Sequence, residues 1–134
     1  MPALFNFEVH TPYRLFFSGK AESVILTLAD GEIGIYAKHS PFTAPVVTCI
    51  LRIKDIDGNW KAAFISGGIL EVKENISVLM VESAEWPEEI DMERALASRQ
   101  EAEETLGSSR FRFEKDEAKA KLHRAEFRLK VLEK

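Results

Sequence analysis

Apolar residues between positions 1 and about 84 occur in short runs, many of them β-branched, with polar residues at alternate positions. A period of two predicts β-strands, because successive side chains of a strand point to opposite faces. The predicted strands are Phe5–Val9, Ser23–Leu28, Gly34–Tyr36, Val46–Thr48, Leu51–Ile56, Trp60–Ile65, Ile69–Val72 and Ile76–Val81. Many short strands in quick succession favour a compact β-sandwich or barrel.

Glycine-containing segments separate these runs and predict how the sheet turns. Asp57-Gly58 lies between two alternating runs, and glycine tolerates the positive φ that a tight hairpin turn requires. Asp30-Gly31 and Lys73-Glu74-Asn75 separate further strands. The pair Gly67-Gly68 predicts a bulge, or a place where another backbone passes very close.

The composition changes abruptly beyond Pro87. From Ile90 onward the chain has no proline, one glycine and a dense mixture of Ala, Leu, Glu, Lys and Arg, which is typical of helices. Asp91 is a predicted N-cap, and the first helix is expected to run to about Thr105. The fold class is therefore mainly β plus α, with a β-sandwich domain at 1–86 and a helical hairpin at 87–134.

A second helix follows a short break. Gly107 is expected to end the first helix, and Ser109 is expected to cap a second one running towards Val131. Both helices carry narrow apolar stripes, composed of Met92, Ala95, Ala102 and Leu106 in the first and of Ala118, Leu122, Ala125, Leu129 and Leu132 in the second. Such stripes bury little area, so the hairpin is expected to be weakly attached and able to take two positions.

The net charge argues against a nucleic-acid partner, and the positive charges are concentrated at the C-terminal end of the chain. The total of −4 over 134 residues is not the polycation that binds nucleic acid, so no nucleic-acid partner is predicted. Residues 110–134 contain nine Lys or Arg against five Asp or Glu. The cations are Arg110, Arg112, Lys115, Lys119, Lys121, Arg124, Arg128, Lys130 and Lys134.

No transmembrane segment or export signal is predicted. No window approaches the roughly 20 apolar residues of a membrane-spanning helix, so membrane association is expected only through partners. The N-terminal residues lack the basic start and long apolar stretch of a secretory signal.

Residues that could carry chemistry do not form a recognisable site. Cys49 is the single cysteine and lies in an apolar run, so we expect it to be buried and reduced. His39, His10 and His123 have no metal-ligand spacing, and no Walker loop or nucleophilic triad can be assembled. We therefore predict neither a catalytic nor a metal site, and no enzyme activity.

Four segments, in order and spacing, carry a resemblance to a known family. Residues 31–35 (GEIGI), 39–42 (HSPF), 67–72 (GGILEV) and 90–95 (IDMERA) resemble the epsilon subunit of F-type ATP synthase. The similarity extends to residues 9–12 and 82–85 and so covers essentially the whole chain.

The resemblance implies a non-catalytic central-stalk subunit of a proton- or sodium-translocating ATP synthase. It would couple the rotor to ATP synthesis and inhibit ATP hydrolysis through its C-terminal hairpin. The implied partners are the gamma subunit and the c-ring for the β-sandwich, and the alpha and beta catalytic subunits for the hairpin. The implied location is peripheral, on the cytoplasmic face of the bacterial plasma membrane, with the plastid thylakoid as the alternative.

The resemblance also suggests residues for the stalk contacts of the β-sandwich. These candidates are Gly31, Glu32, His39, Pro41 and Phe42. A plain tight turn would explain the glycines of this segment equally well.

The start of the hairpin matches a pattern that belongs to an ATP site in some members of the family. The matching residues are Ile90, Asp91, Arg94 and Ala95, and Arg94 with Arg124 and Arg128 would face the phosphates. ATP would then be a weak regulatory ligand, with no cofactor required. The alternative is that Asp91 is only an N-cap and Arg94 a surface residue. Acidic residues at 100–104 would weaken phosphate binding, by roughly tenfold for each misplaced carboxylate.

Two interpretations of the hairpin remain open. Arg124 and Arg128, four residues apart on one helical face, would meet acidic loops of the catalytic subunits and impede rotation during hydrolysis. Alternatively, the charged face is solvated and held by local pairs, with Glu114 bound to Arg or Lys neighbours. A different class of function is a free-standing ligand-binding β-sandwich whose helical tail dimerises through its apolar stripe.

Overall fold

The computed structural model describes residues 3–133, which form two compact units divided between Glu85 and Trp86. The first unit, here called the β unit, contains ten strands. They are β1 (Phe5–His10), β2 (Leu15–Ala21), β3 (Ser23–Leu28), β4 (Gly31–Tyr36), β5 (Phe42–Val46), β6 (Cys49–Lys54), β7 (Trp60–Ile65), β8 (Gly68–Val72), β9 (Ile76–Val81) and β10 (Ala84–Glu85).

The strands of the β unit form two five-stranded layers. One layer has the order β10-β7-β6-β3-β4 and the other β5-β8-β9-β1-β2. A single pair, Leu28 with Val46, joins them through β3 and β5. All pairings are antiparallel except that of β1 with β9, which is parallel. The predicted β-sandwich is confirmed.

The core of the β unit is made by the inward positions of both layers. In β1 the alternation is strict, with Phe5, Phe7 and Val9 buried and the residues between them more exposed. Phe7 has no exposed surface and lies with its ring 6.4 Å from Phe5 and 6.0 Å from Phe17. The fully buried residues of other strands include Leu26, Leu51, Phe64, Leu70 and Leu79. Cys49 is buried, as predicted.

Two glycines have the backbone roles that the sequence predicted, one in a tight turn and one at a close approach of two backbones. Gly58 has a φ of 81° in the turn between β6 and β7. The Asp55 carboxylate organises this turn, because its Oδ1 accepts bonds from the backbone N–H groups of Asp57 at 2.9 Å and Asn59 at 3.0 Å. At Gly68 an added Cβ would overlap the carbonyl oxygen of Met80, so this glycine permits the close approach of two backbones.

The strand predictions were wrong in five places, one of them β4, which was predicted to begin at Gly34 and begins at Gly31. β2 and β10 were not predicted; in β2 the sequence Ser18-Gly19-Lys20 interrupts the apolar pattern, although Gly19 pairs with Phe7 across the ladder. The strand predicted at Val46–Thr48 is Phe42–Val46, and the one predicted at Leu51–Ile56 is Cys49–Lys54. β5 accommodates Pro45 because β3 contacts β5 only at Val46, which leaves little ladder on that side to interrupt.

The second unit is the helical hairpin. A short 3-10 turn at Pro87–Glu89 precedes α1 (Met92–Ser108) and α2 (Arg112–Leu132). The predicted cap of α1 is confirmed: Asp91 Oδ1 accepts a bond from the backbone N–H of Arg94 at 3.1 Å.

The break between the helices differs from the prediction. Gly107 lies inside the last turn of α1, which ends one residue later at Ser108. Ser109 is not the N-cap of α2, because that position belongs to Phe111. The Ser109 hydroxyl instead accepts a bond from the Phe111 N–H at 3.2 Å and donates to the Glu114 carboxylate at 2.6 Å.

The two helices meet along an alanine seam, defined here as Ala95, Ala102, Ala118 and Ala125, all buried. The predicted leucines Leu106, Leu122, Leu129 and Leu132 are half-buried at its margins. Met92 was predicted in the stripe but is 53% exposed, and Val131, which was not, is buried. Lys121 Nζ bridges to Glu101 Oε1 across the seam at 2.9 Å.

Candidate functional site

Neither a metal centre nor a transmembrane helix occurs in the described part of the chain. Across residues 3–133, no group of three or more His, Cys, Asp and Glu side chains is placed to hold a metal ion. Within the same residues, neither helix combines the length and apolar character needed to cross a bilayer.

The most distinctive surface of the β unit is a line of side chains on the outside of the second layer. Cross-strand pairing aligns one residue from each of five strands: Pro45 with Ile69, Ile69 with Met80, Met80 with His10, and His10 with Leu15. We call these five residues the outer row. At about 4.8 Å per strand the row extends about 19 Å across the sheet.

Large apolar side chains in the outer row are open to solvent. Leu15 is 55% exposed, and Ile69 and Met80 are each 47% exposed. Exposed apolar residues are normal singly, but a contiguous set on a flat sheet face marks an interaction surface. The outer row therefore has the composition of a protein-binding face.

Carboxylates beside the outer row have partners, one of them His10 of the row itself. Glu8 Oε1 lies 2.8 Å from His10 Nε2, and Glu71 Oε1 lies 2.9 Å from Lys73 Nζ. Because each carboxylate has a cationic or hydrogen-bonding neighbour, a partner that covers the row would meet few unbalanced charges.

Sequence reasoning missed the outer row, although a signal for it was present. Ile69-Leu70 and Leu79-Met80 each place two apolar residues side by side in a strand. One member of each pair is fully buried, and the other must face outward because side chains alternate. Two consecutive apolar residues in a strand thus indicated that both faces of this layer, the inner and the outer, carry apolar side chains.

The five residues predicted to contact the stalk lie at opposite ends of β4. Gly31 and Glu32 begin the strand, and Glu32 Oε2 is 3.7 Å from Arg52 Nη1. His39, Pro41 and Phe42 follow its other end, where the His39 and Phe42 rings lie 5.2 Å apart. Six strand residues cover about 20 Å, so the structure brings His39 and Phe42 together but separates them from Gly31 and Glu32.

The predicted nucleotide residues lie around one end of the hairpin. Asp91 and Arg94 begin α1, and Arg124 and Arg128 lie towards the end of the antiparallel α2. Ala95 is part of the alanine seam, and the Ile90 N–H bonds to the carbonyl oxygen of Pro87 at 3.1 Å. Asp91 has a visible structural role, since its carboxylate caps the helix.

An open groove at the same end of the hairpin has the wrong lining for phosphates. Its volume is about 270 Å³, and four of its six lining residues are apolar: Met92, Leu96, Leu129 and Leu132, beside Arg99 and Glu133. None of the six predicted nucleotide residues lines it. The groove therefore adds no observation in favour of an ATP site.

The cations of α2 are distributed around the helix, and some are held by acidic neighbours. Arg112 Nε lies 3.9 Å from Asp116 Oδ2, and Lys121 pairs with Glu101. Lys115 and Lys119 are exposed. Glu114, whose pairing with Arg or Lys neighbours belonged to one of the two interpretations of the hairpin, accepts a hydrogen bond from the Ser109 hydroxyl. Lys134, the ninth predicted cation, lies outside the described residues.

Comparison with family models gives two adjacent matches. The first, "ATP synthase, Delta/Epsilon chain, beta-sandwich domain", covers residues 4–87. The second, "ATP synthase, Delta/Epsilon chain, long alpha-helix domain", covers residues 88–133. This chain belongs to the ATP synthase delta/epsilon family.

Similar proteins place the chain on the epsilon side of that family. The ATP synthase epsilon chain of Caldanaerobacter subterraneus subsp. tengcongensis is 45% identical, over 100% of this chain and 97% of that protein. The epsilon chain of Caldicellulosiruptor bescii is 44% identical, over 98% and 95%. Epsilon chains are stalk or regulatory subunits, so membership of this family makes the protein a non-catalytic one.

Solved structures of ATP synthases share the fold of this epsilon-family chain. A chain of the Euglena gracilis mitochondrial ATP synthase, solved with its OSCP, F1 and c-ring parts, matches with a TM-score of 0.86, covering 98% of this chain and 83% of that one. A chain of the Tetrahymena thermophila central stalk and c-ring matches with a TM-score of 0.65, covering 96% of both. Identities of 20% and 15% make these likenesses of fold alone.

Proposed function

We propose that this epsilon-family chain is a central-stalk subunit that attaches to the gamma subunit through the outer row. The observation that carries the proposal is the alignment of three exposed apolar residues in one row: Ile69 and Met80 are cross-strand neighbours, and Leu15 follows beyond His10. Covering such a face removes apolar area from water, which is the main favourable term in stable association. The rigid sheet holds the row in place, so little ordering is needed on binding.

A substitution pair tests this attachment. Ile69→Lys with Met80→Lys places two charges in the middle of the outer row, and we expect the variant to lose co-purification with the other ATP synthase subunits. Ile56→Lys is the matched control, because Ile56 is 59% exposed in the turn between β6 and β7, away from the row. If the outer-row variant co-purifies as well as this control, the row is not the attachment face.

The segment from His39 to Phe42, which leads into β5, is the proposed contact with the c-ring. Its support is the packing of the His39 ring against Phe42, which gives the segment a defined shape. The His39 Nδ1 lies 3.0 Å from the Ser40 carbonyl oxygen, which further fixes the ring. Through these contacts the complex would bring the chain to the cytoplasmic face of a bacterial membrane, and the chain would couple rotation to ATP synthesis.

The hairpin is the proposed inhibitory element. Its support is the alanine seam, which lets α1 and α2 separate at small cost, and the run of cations along α2, which suits acidic surfaces of the alpha and beta subunits. Deletion of the residues after Glu89 is expected to leave assembly intact and to raise ATP hydrolysis. Assembly without any change in hydrolysis would reject the inhibitory role.

Regulation by ATP at the start of the hairpin stays a separate prediction. Calorimetric titration of the full chain with ATP tests it, and absence of heat up to about 1 mM would reject it. Arg94→Ala is the informative variant, because Arg94 contributes only its backbone N–H to the helix cap and can lose its side chain without losing the cap.

A dimerising tail has little structural support. The stripe that would mediate it includes Ala118 and Ala125, which are already buried in the seam within one chain. Sedimentation of the isolated protein should show a monomer, whereas a tight dimer would favour the free-standing β-sandwich.

A further inference from the structure

A two-residue strand ends the β unit just before the hairpin begins. This strand, β10, consists of Ala84 and Glu85, which pair with Ile65 and Phe64 of β7. Because β9 lies in the other layer, the chain changes layers immediately before β10. A ladder of two residue pairs is held by few contacts, so little free energy is needed to open it. β10 therefore has two accessible states, paired with β7 and open.

Hydrogen bonds from two other segments hold β10 in its paired state. Ser66 follows β7 and binds Ser83, which precedes β10. The Ser83 N–H donates to Ser66 Oγ at 2.8 Å, and the Ser66 N–H donates to the Ser83 carbonyl oxygen at 3.0 Å. The second segment contributes Arg14, whose Nη2 donates to the Ala84 carbonyl oxygen at 3.2 Å. This bond connects β10 to the turn between β1 and β2.

The β1–β2 turn and its neighbour Phe16 position Arg14. The Thr11 N–H donates to the Arg14 carbonyl oxygen at 3.0 Å, and Thr11 Oγ1 accepts from the Arg14 N–H at 3.1 Å. The Arg14 guanidinium lies over the Phe16 ring, 5.0 Å from its centroid, in a cation–π contact. Since both its backbone and its guanidinium are held, Arg14 follows any movement of the turn.

The same turn joins two residues of the outer row. His10 ends β1 and Leu15 begins β2, and the two are paired across the ladder. A partner that covers both residues would restrict the turn between them, and Arg14 with it. A restricted Arg14 loses less conformational entropy when it binds Ala84, so covering the row favours the paired state of β10. By thermodynamic linkage, the bond to Ala84 strengthens binding at the row by the same factor.

We propose that Arg14 is a positioning residue that couples the outer row to the start of the hairpin. When the gamma subunit covers His10 and Leu15, Arg14 holds β10 against β7, so movement of the hairpin begins beyond Glu85. In the free chain β10 opens more often, and the movable segment also includes β10. A guanidinium suits this task because its planar group can stack on a ring and donate to a carbonyl oxygen at the same time. The inference rests on the proposed function, in which the gamma subunit covers the outer row.

Amide exchange of the free chain tests whether Arg14 holds β10. Arg14→Gln removes the guanidinium, and Lys20→Gln, at an exposed position near the other end of β2, is the matched control. We expect the amides of residues 83–85 to exchange about fivefold faster in Arg14→Gln than in the original chain, because a hydrogen bond from a charged donor is lost. Exchange in β9 should stay unchanged, which separates local opening from unfolding of the whole unit. Equal exchange at 83–85 in Arg14→Gln and the control would overturn the proposal.

Reassembly with ATP synthase lacking this subunit tests the coupling. Ser66→Ala is the comparison, because it loosens β10 but leaves the β1–β2 turn intact. Attachment should slow exchange at residues 83–85 at least about fivefold in the original chain and in Ser66→Ala, but less than about twofold in Arg14→Gln. Equal slowing in the two variants would overturn the coupling, since Arg14 would then be only a local structural contact. Full attachment of the Ile69→Lys, Met80→Lys variant would instead contradict the proposed function, so that failure is recorded separately from failure of Arg14 to hold β10.

Discussion

The β unit and the hairpin bury their apolar residues in different ways. In the β unit, large side chains such as Phe7, Leu26 and Leu79 are withdrawn completely from water between two layers. In the hairpin, the residues withdrawn most completely are Ala102 and Ala125, each 1% exposed. At about 25 cal/mol per Å², an alanine contributes far less than a phenylalanine.

This difference in burial suits the separate tasks proposed for the two units. A sheet with a deep core keeps the outer row in a fixed register, which a stable attachment face requires. Little free energy is needed to separate two helices that are held together by alanines, which suits an element that takes more than one position. Four predictions, from the largest expected effect to the smallest, would break or sharpen this contrast.

Phe7→Ala should destabilise the β unit by about 3–5 kcal/mol, because it removes a fully buried ring that lies among other aromatic side chains. Urea denaturation followed by hydrogen exchange of the β strands measures the loss. Leu15→Ala, which shortens a 55% exposed side chain, should change stability by less than about 0.5 kcal/mol. Equal effects from the two variants would contradict the deep core.

Ala125→Leu should cost the hairpin about 1–3 kcal/mol, since the larger side chain does not fit a seam built for alanine. Amide exchange should rise across α1 and α2 while that of the β strands stays unchanged. The control is Ala97→Leu on the exposed side of α1, where no loss is expected. Increased exchange in the β strands as well would show that the two units unfold together.

Asp91→Ala should weaken the start of α1 by about 1 kcal/mol, because the Arg94 N–H loses its acceptor. Faster amide exchange in the first turn of the helix reports the change. Asp91→Asn keeps a capping oxygen and should behave almost as the original residue. If calorimetry detects ATP binding and Asp91→Asn abolishes it while leaving exchange unchanged, the residue has a second role beyond capping.

Cys49 gives the smallest expected effect, and it depends on pH. Burial raises the pKa of the Cys49 thiol above its ordinary value of 9.0, and hydrogen bonds from Thr27 oppose this only in part. The folded state therefore favours the neutral thiol. The stability that the neutral Cys49 thiol contributes is complete below the unfolded pKa and is lost as pH rises through the folded pKa.

Alkylation measures directly how accessible the Cys49 thiol is in the folded protein. Iodoacetamide should react slowly with the folded protein at pH 8 and quickly once urea unfolds it. Cys49→Ala should remove the corresponding part of the decline in stability above pH 9. Rapid alkylation of the folded protein would show that the thiol is accessible and that the β unit opens near β6.

Several strands could be predicted because the local sequence pattern and the tertiary structure favour the same conformation in them. The predicted strands at Ser23–Leu28, Trp60–Ile65 and Ile76–Val81 match the structure at both ends. Each alternates cleanly or lies between strong turn residues. By contrast, β2 contains Gly19, and its extended form depends on pairing with β1, a tertiary contact that no local pattern displays.

The candidate surfaces divide in the same way. The cations of α2 and the cap at Asp91 could be identified from sequence, because helix periodicity and capping are local. The outer row could not, because it joins residues as distant as His10 and Met80 through strand register. The start of α2 was predicted wrongly for a different reason: Ser109 is a residue type typical of helix caps, whereas the structure has Phe111 at that position.

The parallel pairing of β1 with β9 has a consequence during protein synthesis. Asn6–His10 must wait for Ile76–Met80 before that ladder can form. At a translation rate of about 5–20 residues per second, the ribosome adds the intervening 70 or so residues in about 4–14 s. For those seconds the aromatic first strand has no partner on that side and is open to chaperones or to aggregation. Formation of the β1–β9 ladder is therefore delayed during synthesis, whereas the helical hairpin, whose contacts are close in sequence, has no such delay.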